Sequence, residues 1–120
     1  MLLGLGGVLA LLYLIAWVAI GRSTGEPPAI LGEQRIEARG RPVPDAKWTA
    51  TLRRRFPPGT DEAGMTTVLR RQGFWVDPRG RIAVYAWQEP FCRMTVMAGW
   101  KAAADGRITG IEGASAGMCL

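Results

Sequence analysis

The chain contains no histidine. The commonest general base and metal ligand is missing, which argues against most hydrolase and zinc-site chemistry. Cysteine is almost as scarce: Cys92 and Cys119 are the two, with neither a C-x-x-C spacing nor an activating histidine, and thiol-redox catalysis is disfavoured. No nucleophile motif, metal-ligand spacing or phosphate loop occurs, so neither catalysis nor a cofactor is expected. Charge is absent from one whole region. Nothing between Met1 and Ile20 is charged, and all fifteen Lys and Arg and all ten Asp and Glu come later. The formal net charge of +5 and the pI near 10.0 therefore belong to the chain beyond Ile20. That balance favours anionic partners, whether lipid headgroups, acidic proteins or nucleic acid, without choosing among them.

The uncharged run MLLGLGGVLALLYLIAWVAI rises about 1.5 Å per residue as a helix and matches a hydrocarbon layer of roughly 30 Å. Tyr13 and Trp17 suit an interfacial aromatic belt. Gly4, Gly6 and Gly7 hint at a nucleotide loop, but no strand precedes them and small residues are ordinary in membrane helices. Residues 1–21 are read as a transmembrane anchor or signal segment. Ala19-Ile20-Gly21 offers a cleavage site, yet the basic segment that normally opens a signal peptide is missing, which favours a retained anchor. Arg22, Arg35, Arg39 and Arg41 come after it, and the positive-inside rule would hold them in the cytoplasm. The cysteines point the other way.

Residues 22–44, rich in Gly, Pro and charge and without a sustained period, read as a linker with a short extended piece near Gln34 to Ala38. Residues 45–120 then read as a small α+β domain. Asp45 caps a helix whose Trp48, Leu52 and Phe56 share a face. Pro57-Pro58-Gly59 ends it. Thr60 is expected to cap a second helix with Asp61 and Glu62 in its first turn and Met65, Val68 and Leu69 as its buried stripe, closed by Gly73 with Phe74 packing back. From there the period is two: Phe74 to Val76, Arg81 to Trp87, Cys92 to Lys101 and Ile108 to Gly113 are β-leaning runs separated by turn residues. The expected architecture is an N-terminal transmembrane helix, then two helices packed on a three- to four-stranded antiparallel sheet.

A two-residue turn at Asp105-Gly106, with Ala104 facing Arg107, brings Cys92 directly opposite Cys119 at the open end of the last hairpin. A disulfide is expected there, in a hydrogen-bonded pair, as suits a small exported domain. This places the domain on the periplasmic or extracellular side of an inner membrane.

Arg53, Arg54, Arg55, Arg70 and Arg71 are candidate headgroup-binding residues, though basic runs on amphipathic helices are usually a solvated face. Nucleic acid is not expected as a partner, for no recognised module accompanies them. Alternation along the third run separates Ala83, Tyr85 and Trp87 from Ile82, Val84 and Ala86, and an exposed Tyr85/Trp87 patch would bind a protein partner. Ordinary packing is the competing reading. Asp61 with Glu62, and Glu89 with Glu112, are the carboxylate pairs; the first reads as a helix cap and the second is distant in sequence.

The stretch from Phe56 to Ala114 resembles the SmpA/OmlA family of envelope lipoproteins. The likeness lies in Pro58-Gly59-Thr60 opening the second helix, Val68-Leu69 and Gly73 closing it, Tyr85-x-Trp87, and the terminal Asp105-Gly106-Arg107-Ile108 hairpin. That family is attached through a lipidated cysteine after its signal, whereas here the first cysteine is Cys92. The β-lactamase-inhibitor proteins resemble the same helix-plus-meander unit. Taken with the apolar run, the cysteines and the missing catalytic motifs, the expectation is a membrane-tethered, envelope-facing protein-interaction module without catalytic activity. The alternatives are a small protein inhibitor, or an accessory subunit of a membrane protein complex held through Leu9, Leu12 and Ala16. In each case the bilayer and another envelope or membrane protein are the expected partners.

Overall fold

A computed structural model of the protein describes residues 25–119, so the predicted anchor at 1–21 lies outside the described residues. Among those described, no helix is long and apolar enough to cross a membrane. The domain is α+β: a 3-10 turn at Ala29–Leu31, strand β1 (Gly40–Pro44), helices α1 (Ala46–Arg55) and α2 (Glu62–Arg71), then β2 (Trp75–Asp77), β3 (Ile82–Gln88), β4 (Cys92–Ala102) and β5 (Ile108–Cys119).

Helix α1 begins where Asp45 Oδ1 accepts the Trp48 N–H at 2.9 Å, satisfying a backbone donor that the first turn leaves unpaired. The other oxygen of Asp45 accepts the Ser115 hydroxyl at 2.8 Å, so the cap also ties the helix to β5. Trp48, Leu52 and Phe56 are all buried, as their spacing predicts. In α2 the cap is Asp61 and not Thr60: Asp61 Oδ2 accepts from the Gly64 N–H, while the Thr60 hydroxyl donates to the Pro57 carbonyl. Both residues have side-chain oxygens, and the turn at Pro57 claims the first. The helix ends as expected, with Phe74 N–H bonding to the Leu69 carbonyl, Gly73 N–H to that of Arg70, and Gly73 at φ 95°.

The sheet has five antiparallel strands in the order β1-β5-β4-β3-β2, where three or four were expected. The extra one, β1, comes from the stretch read as linker. Its Pro42 and Pro44 argue against a strand in sequence, but an edge strand needs to donate on one side only. The extended piece expected at Gln34 to Ala38 is irregular, and the strand forms just after it.

Cys92 does face Cys119, and the two form a disulfide with Cα atoms 4.0 Å apart. The register is reached by two compensating irregularities. The turn is one residue longer than expected: Ala103 and Arg107 close it, with Gly106 in the left-handed region at φ 82°. Thr109 is then an extra residue in β5, since Ala102 pairs with Ile108 and Lys101 with Gly110. The longer turn also changes the hydrogen-bonding phase. Trp100 N–H bonds to Arg81, and the N–H and C=O of Cys92 both bond to Glu89, so even-numbered β4 residues turn their backbone away from β5. The cystine therefore occupies a non-hydrogen-bonded pair, the closer kind, and not the hydrogen-bonded one expected.

Both helices cover one face of the sheet. Trp48, Leu52, Met65 and Leu69 join Ala83, Tyr85, Trp87, Met94, Val96, Ala98 and Trp100 in one buried cluster, with Leu31 and Ile36 completing it. Gly113 matters to this packing: a Cβ there would overlap the Trp48 indole, so the absent side chain is the seat of the present one.

Candidate binding face

The opposite sheet face carries the other half of the alternation. Register places Trp75, Val84, Met97, Ala114 and Pro44 in one row across all five strands, with Asp77, Ile82, Gly99 and Glu112 in the next. Val84 and Met97 are buried, Ile82 and Ala114 half-buried, and Trp75 is 37% exposed. Two hollows open there. One, of about 310 Å³, is apolar and bounded by Pro42, Val43, Pro44, Met97 and Ala114. The other, of about 510 Å³, is bounded by Arg53, Arg81, Lys101, Trp100 and Gly110. They adjoin, for Ile82, Gly99 and Glu112 line both.

Arg81 is the most constrained member. It closes a turn in which Asp77 Oδ1 accepts the Arg79 N–H, and it holds φ at 53°, in the left-handed region that residues with a Cβ seldom occupy. Its side chain is fixed as well. Arg81 Nε donates to Glu62 Oε2 at 2.8 Å, and the Trp100 indole N–H donates to the same oxygen at 2.7 Å. The hydrogen bond from Arg81, then that from Trp100, hold the Glu62 carboxyl below its ordinary value of 4.5, against a smaller opposing effect of burial. The sign of the pH response comes from linkage. A carboxylate whose pKa is depressed by folding contributes stability that is complete above its unfolded pKa and is lost as the pH falls through the lower folded value. Between about pH 5 and about pH 3 the protein is therefore expected to lose more stability than its Glu62→Gln variant, measured as the shift in urea midpoint. Equal shifts would mean that other carboxylates govern the acid response.

The predicted site residues disperse. Tyr85 and Trp87 are buried on the helix-covered face, in contact with each other and, through Tyr85, with Phe74, so the exposed patch expected of them does not form. Their parity puts them with Ala83 under the helices, while Ile82, Val84 and Ala86 lie on the opposite face, where Ile82 is half-buried and the other two are buried. The five arginines do not act together. Arg53 Nε donates to the Ile111 carbonyl at 3.2 Å, Arg54 turns back to Thr51, and Arg55 lies 5.5 Å from the Phe56 ring centroid. Arg70 and Arg71 are exposed in the last turn of α2. Asp61 serves as a cap, Glu89 accepts from the Trp87 indole, and Glu112 stands 3.9 Å from Arg53. Among the described residues no group of three or more His, Cys, Asp or Glu is placed to hold a metal.

Of the residues around the hollows, Arg53 was predicted, as a headgroup ligand, while Arg81, Lys101 and Met97 carried no sequence signal for binding. Glu62, Arg81 and Trp100 meet across 19 and 38 positions, and no local pattern encodes such a contact. Comparison with family models, with curated proteins and with solved structures returned no match.

Proposed function

We propose that the protein is a membrane-tethered, envelope-facing interaction module of the SmpA/OmlA kind, without catalytic activity, which receives another envelope protein on the second face of its sheet. The observation that carries this reading is the apolar hollow bounded by Pro42, Val43, Pro44, Met97 and Ala114, on the sheet face opposite both helices and adjoining the basic one. Exposed apolar residues such as Val43 around a shallow apolar hollow are how protein-binding surfaces are commonly built. The tether rests on the uncharged run from Met1 to Ile20. The Cys92–Cys119 bridge supports an oxidising compartment, since cytosolic thiols are kept reduced.

The test is site-specific photocrosslinking in native membranes. Val43, 43% exposed at the rim of the apolar hollow, is replaced by benzoylphenylalanine, with exposed Thr67 on α2 as the control position. One discrete adduct to a protein with an envelope domain is expected from position 43, absent from position 67 and abolished by Met97→Arg. Adducts of equal yield from both positions, or none from 43, would overturn the reading. An adduct to an enzyme whose activity falls on binding would make the module an inhibitor.

A further inference from the structure

The paired hollows have polarity as well as shape. At the Pro44 end the walls are Pro42, Val43, Met97 and Ala114; at the other, three cations, Arg53, Arg81 and Lys101, face one carboxylate, Glu112. We propose, building on the interaction reading above, that the groove binds an extended acidic peptide segment of the partner, its carboxylates at Arg81, Lys101 and Arg53 and its apolar residues against Pro42, Val43 and Met97.

Three features carry this. The Arg81 guanidinium is held in place through Nε by Glu62, which Trp100 holds in turn, and neither Nη nitrogen has a hydrogen-bond partner among the described residues. A planar cation pinned on one edge and unoccupied on the other is suited to a carboxylate, which it engages through two parallel hydrogen bonds. The backbone at Arg81 is left-handed where it closes the turn between β2 and β3, which fixes where its side chain leaves the sheet beside the hollow. Finally, Gly99 and Gly110 line the basic hollow, and with no side chains on them there is room for a main chain to approach. Glu112, with an 83% exposed side chain, lies where the hollows meet. A carboxylate there accepts a peptide N–H, a donor that a phosphodiester group does not offer, which favours a peptide main chain at this point.

The experiment uses the full ¹⁵N-labelled chain in zwitterionic nanodiscs. It is titrated with a blocked peptide of apolar residues followed by three aspartates, with its three-lysine counterpart, and with phosphatidylglycerol vesicles. The resonances followed are the Trp100 indole N–H and the Gly99 and Gly110 amides. The aspartate peptide is expected to bind at least about tenfold more tightly than the lysine peptide, as opposed charge patterns require. Lys101→Gln, which touches neither Glu62 nor the turn, and Arg81→Gln are each expected to erase most of that preference. Equal binding of both peptides, or no shift from the aspartate peptide at millimolar concentration, would overturn the proposal, as would saturation by the vesicles alone. If the crosslink from position 43 persists while the charge preference is absent, the interaction reading stands and the acidic assignment falls.

Discussion

Trp48→Ala is expected to lower the unfolding free energy by about 3–5 kcal/mol, a large share of what a domain of this size has. The indole is fully buried, stacks on Phe74 at 6.3 Å with planes 7° apart, and donates from Nε1 to the Met97 carbonyl at 2.9 Å. It also rests on Gly113, where no neighbouring side chain can move in to fill the space. The cavity left behind would collapse poorly, and poor collapse is what separates the costly core truncations from the mild ones. Trp48→Phe retains the stack and most of the volume but loses the hydrogen bond; its expected cost is about 1–2 kcal/mol. Urea unfolding followed by far-ultraviolet circular dichroism measures both. Similar losses in the two variants would mean that the indole N–H, and not the filled volume, holds the helix layer to the sheet.

Removing the cystine with Cys92→Ser and Cys119→Ser is expected to cost about 2–4 kcal/mol. The bridged residues are 27 apart in sequence, so the bond closes a sizeable loop of the unfolded chain. The folded-state consequence should be local. The bridge closes the end of β4 and β5 far from their turn, where β1 has only Gly40 paired to Gly117. Amide exchange of Thr95 and Ala116, a hydrogen-bonded pair, is expected to accelerate more than that of Gly99 and Glu112 towards the other end. Uniform acceleration would place the whole effect in the unfolded chain.

The helices were legible because their signals are local. Asp45, the Trp48–Leu52–Phe56 spacing and the Gly73-Phe74 ending each report on a single turn, and the same groups make the bonds found there. The single-residue error at Thr60 arose where two adjacent side chains compete for the role of cap. Strand β1 was illegible for a different reason. Its prolines conflict with every local rule for a strand, and only the neighbouring β5 edge makes the segment one. The tail from Ala114 to Cys119 is similar, since Ala, Ser and Gly have little strand preference, yet it completes β5 between two partners. The facing cysteines were placed correctly by a turn geometry that was one residue short, and the Thr109 bulge made up the difference. As for the binding face, alternation separated Tyr85 and Trp87 from Ile82 and Val84, but which set the helices cover depends on long-range packing.

The two margins of the sheet bear on what happens when many copies are crowded together. A strand edge with free N–H and C=O groups recruits further strands. Here one margin is β1, with two prolines that cannot donate and an irregularity between Gly40 and Val43 that bends it out of register. The other is β2, three residues long and followed at once by Pro78. Neither offers a template long enough for ribbon growth. Crowded copies are thus not expected to extend the sheet through β1 or β2, and at those margins association is left to faces, where side chains decide which molecule fits.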